Sequence, residues 1–388
     1  MNGNSFGRIF RVTTSGESYS GGFRKGMSIP QHMRGGLIAI VDGVPPGLTI
    51  TSEIIQIELN KRRPGQSELD TARGEKDRVY IFSGVMENDL TTGAPVGMII
   101  PNTDIDDENI EKHRSYKNYI RPGQASYTYN CKYGKYADWL GAGRASGRET
   151  AARVAAGAVA KVLLEREGID VIAYTIESHG IKAQSMTYES VKNNYRANEI
   201  NCPDLVTAKT MISDLLEVKK QGDTCGGVIE IIAKGVPAGL GEPVFDKLSA
   251  MLSHGLMSIG AIKGIEFGEG FCLASMTGSQ ANDTPYYDTE KDKLYYKSNR
   301  MGGILGGISN GEEIRIKVAV KPTPTILKEQ STVDMNQKCN AQVSFATRND
   351  PSILPRIYPV CEAMVRLTIA DTLIMQKGYE NIWNKHDL

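Results

Sequence analysis

The chain has 388 residues, of which 45 are basic and 45 acidic, so its formal net charge is zero. A neutral chain lacks the basic footprint of a nucleic-acid-binding protein, and no apolar run reaches the ~18 residues of a membrane span. We therefore expect no nucleic-acid or membrane partner. Without an export signal or closely spaced cysteines and histidines, we also expect reduced thiols, no metal site and a cytoplasmic location.

Runs rich in Ile and Val, bounded by Gly or Pro, predict strands along the whole chain. They lie at 37–41, 79–82, 96–100, 171–175, 228–233, 259–267, 314–320 and 341–346. Helical patterns are found at 52–63, 148–167, 204–220, 242–254 and 360–377, and Thr51 is placed to cap the first of these helices. Because strands and helices intermix, the fold class is α/β or α+β.

An internal repeat relates the two halves of the chain. Residues 40–48 match residues 232–240 at six of nine positions, and in both copies a strand runs into Gly-Val-Pro-x-Gly-Leu before a helix. A weaker sequence similarity relates residues 92–100 to residues 310–318. This pattern predicts one domain, 1–388, built from two related β–α halves at about 1–190 and 191–388. A spacing of half the chain is too long for a solenoid, whose periods are 20–50 residues.

Glycine makes up 41 of the 388 residues, and several cationic side chains lie beside glycines in loops. Such segments occur at 61–65, 73–74, 121–123, 143–148 and 348–351. Arginine suits carboxylate and phosphate, and the segment at 143–148 opens an Ala-rich helix whose free N–H groups favour an anion. The sequence therefore predicts a local anion site, although each segment taken alone is also consistent with surface arginines.

Two nucleotide-binding motifs are excluded. The third glycine after Gly141 and Gly143 comes one place late for a dinucleotide fingerprint, at Gly147, with no strong strand before it and no acidic residue at the right distance after it. No Gly-x4-Gly-Lys-Ser/Thr sequence is present, so this is not a P-loop enzyme.

Motifs distributed over the whole chain resemble, in order, those of the chorismate synthase family. They lie at 3–7, 10–14, 16–18, 41–47, 62–65, 83–85, 91–93, 121–123, 127–129, 144–150, 239–246, 302–311, 321–323, 348–351 and 362–364. The resemblance implies an α+β fold, a β–α–β sandwich of two related halves, usually assembled as a homotetramer. It also implies a lyase that uses reduced FMN to eliminate phosphate from 5-enolpyruvylshikimate 3-phosphate, giving chorismate. Whether a separate flavin reductase is needed stays open, since no NADPH site is visible.

The same resemblance implies a set of site residues. Those for a small anionic phosphorylated substrate are Arg62, Arg63, Arg73, Arg144 and Arg348. Those for the cofactor are Gln124, Arg144, Ser146, Asn310, Gly311, Lys321 and Thr323. The catalytic positions are Tyr19, Gln124 and Asp350.

Two of these positions depart from the family. Where the family has a histidine that protonates the departing phosphate this chain has Tyr19, and where it has a histidine beside the flavin this chain has Gln124. Tyrosine, with an ordinary pKa of ~10, is a poor acid at neutral pH, and the loss of a positioned acid typically lowers the rate ~10²–10⁴-fold. Residues 22–34 look inserted directly after the first position, and His32 within them is interpreted as a surface residue.

Three hypotheses follow. The chain is a chorismate synthase, slowed by the loss of both histidines; or a diverged lyase acting on a different phosphorylated carbocycle in secondary metabolism; or a paralogue that binds flavin or ligand without turnover. The first is favoured because the match covers the whole chain, with the second close behind.

Overall fold

The structure is a computed structural model that describes residues 3–20, 35–63, 65, 67–69, 76–103, 107–345 and 350–383. The strands in these ranges are β1 (Ser5–Phe6), β2 (Arg11–Ser15), β3 (Gly36–Asp42), β4 (Tyr80–Ser83), β5 (Val96–Pro101), β6 (Asp170–Ser178), β7 (Ile181–Lys182), β8 (Gly227–Lys234), β9 (Ile262–Phe267), β10 (Pro285–Asp288), β11 (Lys293–Tyr296), β12 (Ile304–Leu305), β13 (Ile308–Ser309), β14 (Ile314–Val320), β15 (Gln330–Asp334) and β16 (Cys339–Val343). The helices are α1 (Ser52–Asn60), α2 (Asp107–Ser115), α3 (Ser126–Tyr133), α4 (Thr150–Arg166), α5 (Tyr188–Asn194), α6 (Leu205–Lys220), α7 (Leu248–Met257), α8 (Gly278–Ala281) and α9 (Leu354–Trp383).

Two five-stranded antiparallel sheets carry the architecture. The first has the strand order β1-β2-β3-β5-β4 and the second the order β7-β6-β8-β14-β9. The pairs β10–β11, β12–β13 and β15–β16 form separate hairpins. Antiparallel sheets with helices segregated between them decide the fold class in favour of α+β.

A helical layer joins the sheets. Helix α4 packs against β3 of the first sheet and α9 packs against β6 of the second, and the two helices pack against each other. Their approach is close, because a Cβ at Gly157 of α4 would lie 2.4 Å from the Cβ of Ala363 in α9. Buried apolar side chains of both sheets and both helices form one large cluster. A smaller separate cluster lies between the second sheet and α5, with Ile172, Tyr174 and Ile232 on the sheet side. The two sheets and the helical layer form the sandwich of two related halves that the resemblance implies.

The repeat is visible in the backbone. Gly43 follows β3 with φ +73° and Gly235 follows β8 with φ +83°. A Cβ at either position would collide with a backbone oxygen, at 2.0 Å from Ile9 and 2.3 Å from Gly168 respectively. Both turns therefore require glycine for the same steric reason. The second sheet takes up the chain from Asp170 onward.

Several predicted boundaries were wrong. The helix predicted at 242–254 is α7, which begins at Leu248, because the residue before Pro243 is disfavoured in helical conformation. The strand predicted at 259–267 begins at Ile262, and the helix predicted at 52–63 ends at Asn60. The hairpin strand predicted at 341–346 is Cys339–Val343, and residues 346–349 lie outside the described ranges. Thr51 does cap α1, accepting a hydrogen bond from the amide of Ile54 at 3.2 Å.

Helix α9 is longer than the predicted 360–377 and begins at Leu354. A proline inside a helix usually kinks or breaks it. In the structure Pro359 lies inside the helix. The carbonyl of Pro355, which loses its usual helical donor, accepts a hydrogen bond from the side-chain amide of Asn201 at 3.5 Å. A long-range partner thus offsets a local penalty that the sequence pattern suggested.

Among the described helices, none combines the length and apolar character that crossing a lipid bilayer would require.

Candidate functional site

A cleft of about 980 Å³ opens where loops from both halves meet. Its walls come from the loop after β2, from α2, from the segments around Gln124 and 141–149, from 258–261 and 321–327, and from the first turns of α9. Its described lining includes eight cationic side chains and only two acidic ones, Glu149 and Asp350. The cations are Arg62, Lys112, Arg121, Arg144, Arg148, Arg153, Lys321 and Arg356. A neutral chain has therefore concentrated positive charge in one place, as the sequence predicts.

The loop at 141–149 owes its shape to left-handed residues. Gly141, Ala142 and Gly143 have φ of +63°, +69° and +51°, and two short 3-10 turns follow before α4 begins at Thr150. A Cβ at Gly141 would lie 2.5 Å from the ring of Tyr19. The glycine thus lets the Tyr19 ring lie directly against the loop and into the cleft.

Arg144 fastens this loop to the end of β2. Its guanidinium donates to the carbonyl of Gly16 at 3.0 Å and to the hydroxyl of Thr14 at 2.8 Å. A weaker contact of 3.3 Å reaches the side-chain oxygen of Asn4. All these acceptors are neutral, so the positive charge of Arg144 remains available to an anion in the cleft.

Arg62 and Arg148 share one buried carboxylate, that of Asp77. All three residues are at most 6 % exposed. Arg148 also donates to Asn102 at 3.0 Å, and Asn102 in turn donates to the carbonyl of Glu17 at 2.9 Å. This network forms the floor of the cleft and fixes the loop that carries Tyr19.

Arg121 and Lys321 are cations that lack a carboxylate partner within the described part of the chain. Burial lowers the pKa of Arg121. Burial and, to a smaller extent, the charge of Lys263 lower the pKa of Lys321. Lys321 makes only long contacts, to the carbonyls of Gly123 and Pro322 at 3.4 and 3.3 Å. Both charges are held in an unfavourable setting that a bound anion would relieve.

Only one of the two polar atoms in the Gln124 side chain has a hydrogen-bond partner among the described residues. Its side-chain nitrogen donates to the hydroxyl of Thr325 at 2.7 Å, while its side-chain oxygen is buried and finds no hydrogen-bond partner among the described residues. A buried polar atom left unpaired is costly. Gln124 lines the cleft, so a ligand with an N–H group could pair with this oxygen.

Three further predicted residues line the cleft and have protein partners. Asp350 accepts from Arg356 at 2.6 Å, and its backbone carbonyl accepts from the hydroxyl of Thr323 at 3.1 Å. The hydroxyl of Ser146 accepts from the amide of Arg148 at 3.3 Å. Asp350 is thus an ion-paired carboxylate in this structure.

Three of the remaining predicted residues, Arg63, Asn310 and Gly311, do not line this cleft. Arg63 lies outside its lining and donates to the side chain of Asn60 at 3.1 Å. Asn310 and Gly311 form the turn before β14, where Asn310 accepts from the amide of Glu312 at 3.0 Å. The family motif that contains them, at 302–311, overlaps the second copy of the weaker repeat, at 310–318. Arg73 and Arg348 lie outside the described residues, as does the segment 22–34 with His32.

Sequence reasoning missed a group of cleft residues on helices. Lys112 and His113 lie on α2, and Tyr116 follows it directly. This helix was not predicted because its residues show almost no apolar periodicity. Arg153 and Arg356 lie inside α4 and α9, beyond the loop segments that were considered. The spacing of Arg148 and Arg153 could have indicated that both reach one end of α4.

The fold is a β–α–β sandwich, and loops of its two halves enclose a cleft in which cationic side chains outnumber acidic ones. The family model described as chorismate synthase matches residues 10–374. The chain therefore belongs to the chorismate synthase family, which consists of carbon–oxygen lyases, and the resemblance seen in the sequence is confirmed.

Individual members of the family are similar to this chain over nearly its whole length. The chain is 66 % identical over 388 residues to a chorismate synthase of Acetivibrio thermocellus, covering 100 % of this chain and 98 % of the relative. It is 45 % identical over 381 residues to a chorismate synthase of Methanosarcina mazei, with 98 % of each covered. A crystal structure of chorismate synthase superimposes with a TM-score of 0.72 at 28 % identity, covering 98 % of both chains. These likenesses do not favour the hypothesis of a diverged lyase.

Proposed function

We propose that this protein is a chorismate synthase that eliminates phosphate from 5-enolpyruvylshikimate 3-phosphate to give chorismate. The observation that carries the proposal is the excess of cations in the cleft, eight against two acids in a chain of zero net charge. The substrate has one phosphate and two carboxylates. A site for such a ligand needs gathered cations, because the chain as a whole has no attractive field.

The cleft cations divide into those that pair with a carboxylate and those that do not. Arg62 and Arg148 share the single carboxylate of Asp77, which fixes both side chains in the cleft wall. Lys112, Arg153 and Arg356 pair with Glu108, Glu149 and Asp350. Arg121, Arg144 and Lys321 have no carboxylate partner among the described residues, so they are the candidates for direct contact with the substrate anions. Arginine forks suit the phosphate and the carboxylates, while the Lys321 ammonium acts as a point charge.

The residues also fit reduced FMN. The unpaired side-chain oxygen of Gln124 would accept a hydrogen bond from an N–H group of the flavin ring, and Lys321 and Thr323 lie on the adjoining segment of the same wall. A cleft of about 980 Å³ is at the upper end of the ordinary range for ligand pockets, ~300–1,000 Å³, so it has room for both molecules. When bound, reduced flavin supplies electron density as phosphate departs and recovers it, so the reaction has no net redox change.

The residues of the chain then have defined tasks. Arg121, Arg144 and Lys321 bind and orient the anions, and the buried floor around Asp77 keeps the loops in place. Gln124 holds the flavin through neutral hydrogen bonds and supplies no titratable proton.

The test is an anaerobic reaction of the purified chain with reduced FMN and 5-enolpyruvylshikimate 3-phosphate, following phosphate and chorismate together. We expect equal amounts of both products and none with oxidised FMN. Ligand binding without release of phosphate would support the non-catalytic hypothesis instead.

A variant pair tests the cation assignment. Arg121→Met keeps an unbranched apolar stem but removes the guanidinium group and its charge. Since a hydrogen bond to a charged group contributes ~1.5–3 kcal/mol, we expect KM to rise ~10–150-fold. Arg166→Met, at an exposed position in the last turn of α4, should leave KM unchanged.

We also propose a homotetramer. Phe245 is 90 % exposed and Phe271 80 % exposed, and large apolar side chains left on a surface commonly mark a protein interface. Light scattering during gel filtration should give four times the mass of the chain. A monomer at working concentration would contradict this part of the proposal.

A further inference from the structure

The elimination needs a proton for the departing phosphate, and few groups in the cleft can supply one near neutral pH. Lysine, arginine and tyrosine ordinarily hold their protons until well above pH 9. The two carboxylates are ion-paired, Glu149 with Arg153 at 2.9 Å and Asp350 with Arg356 at 2.6 Å. Histidine is the side chain that ordinarily titrates between pH 5 and 8. In the described lining of the cleft, His113 is the histidine.

His113 lies in the last turn of α2. Asn109 and Lys112 of the same helix also line the cleft, as does Tyr116 just after the helix ends. The ring of His113 meets the ring of Tyr19 edge to face, with centroids 5.1 Å apart and planes at 74°, an arrangement that aromatic pairs prefer.

Tyr19 is itself held from its other side. The missing Cβ of Gly141 leaves the space that the Tyr19 ring occupies, since a methyl group there would come within 2.5 Å of two ring carbons. Gly141 and His113 therefore contact the Tyr19 ring from two sides, and the imidazole of His113 lines the cleft. None of the site residues deduced from the sequence includes His113.

We propose that His113 is a catalytic acid that protonates the departing phosphate, and that Tyr19 is the residue that positions it; the proposal rests on the proposed function. The C–O bond to phosphate breaks with both electrons passing to the phosphate oxygen. That oxygen takes the proton of the imidazolium and leaves as hydrogen phosphate. The second proton, from the carbocycle, passes to solvent, and solvent reprotonates the imidazole.

His113 shares the cleft and the small pocket beside it with many charged and titratable groups. The cations are Arg62, Lys112, Lys117, Arg121, Arg144, Arg148, Arg153, Lys321 and Arg356, the acids are Asp138, Glu149 and Asp350, and the tyrosines are Tyr19, Tyr116, Tyr119 and Tyr129. Cations therefore outnumber acids around His113. A phosphate dianion bound among them places negative charge beside the imidazole, which favours its charged, acidic form.

The kinetic test uses His113→Asn, which keeps a polar side chain but cannot titrate. His254→Asn is the matched control, because His254 makes the same kind of edge-to-face contact, with Phe6 at 5.4 Å, away from the cleft lining. We expect kcat of His113→Asn to fall ~10²–10⁴-fold, as for other positioned acids, with an unchanged melting temperature. We expect kcat of His254→Asn to be unchanged.

The dependence of kcat on pH distinguishes a catalytic acid from a residue that only supports the structure. In the wild type kcat should fall as pH rises, because the imidazolium loses its proton. This falling limb of the pH profile should be missing from His113→Asn. Tyr19→Ala should lower kcat but keep the limb, because the imidazole is displaced and still titrates. An unchanged kcat in His113→Asn, or a limb that persists in it, overturns the proposal; so does a limb that disappears in His32→Asn instead.

A second measurement does not depend on turnover. With histidine-selective isotope labelling of the full chain, the NMR signal missing from His113→Asn identifies the His113 ring. Adding shikimate 3-phosphate or inorganic phosphate should move its titration midpoint to higher pH, while His254 stays unaffected. No movement with either anion overturns the placement of His113 at the phosphate. An inactive wild type that shows the movement counts against the proposed function alone.

Discussion

Thr91 and Ser309 hold equivalent positions in the two halves of the molecule. Each hydroxyl accepts a hydrogen bond of 2.9 Å from a leucine amide and donates one of 2.6 Å to a proline carbonyl. The partners are Leu48 and Pro45 for Thr91, and Leu240 and Pro237 for Ser309. The two residues are both 3 % exposed, so the duplicated Gly-Val-Pro-x-Gly-Leu turn keeps its polar anchor in both copies.

Removing either hydroxyl should destabilise the fold. In Thr91→Ala and Ser309→Ala a buried amide and a buried carbonyl lose their partner, which should lower the free energy of unfolding by ~1–3 kcal/mol in each variant. Urea denaturation measures the change. Thr91→Ser keeps the hydroxyl and should lie close to the wild type; a loss as large as that of Thr91→Ala would contradict the assigned role.

The buried carboxylate of Asp77 should contribute more to the free energy of unfolding than an exposed, ion-paired carboxylate such as that of Asp42. Asp77→Asn leaves the buried guanidinium groups of Arg62 and Arg148 without their counter-charge, and breaking a buried ion pair typically lowers the free energy of unfolding by ~3–5 kcal/mol. Asp42→Asn removes an exposed pair with Arg11 at 3.4 Å and should change it by less than ~1 kcal/mol. Equal effects of the two substitutions in chemical denaturation would refute the buried pairing.

Stability should fall with acid through Glu58. Burial by itself would raise the pKa of this carboxyl, but Arg366, Lys61 and Lys161 surround it and hold the pKa well below its ordinary value. A carboxyl whose pKa is depressed on folding contributes stability above its unfolded pKa of ~4.3 and loses that contribution as pH falls further. The free energy of unfolding should therefore decline below about pH 4.5.

The variant Glu58→Gln isolates that contribution. It should be less stable than the wild type at pH 7 and show a flatter decline between pH 5 and 3. Glu53→Gln, at an exposed position on the same helix, should reproduce the wild-type profile. If Glu58→Gln retains the full acid-dependent decline in denaturant titrations at successive pH values, the assignment fails.

Gln124 should control flavin affinity. Gln124→Leu has a similar volume but cannot pair with an N–H group of the ring, and the loss of one hydrogen bond, ~0.5–1.5 kcal/mol, predicts a ~2–13-fold weaker Kd for reduced FMN. Anaerobic fluorescence titration measures it. Gln337→Leu, an exposed position in the turn between β15 and β16, is the control. An unchanged Kd for Gln124→Leu would remove Gln124 from the flavin site.

Much of the fold was predictable because it depends on local patterns. Strand β14 lies where Ile and Val alternate with polar residues, and it matches its prediction at both ends. The repeat follows from Gly43 and Gly235, where an L side chain would collide with a backbone oxygen. The predicted start of α7 was wrong because the residue before Pro243 is disfavoured in helical conformation. That of α9 was wrong because a long-range partner, Asn201, offsets the local effect of Pro359.

The sequence by itself determined the fold class, the duplicated halves, the family and the existence of cationic loops, because periodicity, turn stereochemistry and side-chain charge are properties of short segments. Only the tertiary structure decided how those cations are used. Asp77 bridges the guanidinium groups of Arg62 and Arg148, while Arg121 and Lys321 have no carboxylate partner among the described residues. It also brought His113 against Tyr19, residues far apart in the chain. Such pairings depend on where distant loops meet in space, and no local pattern encodes that.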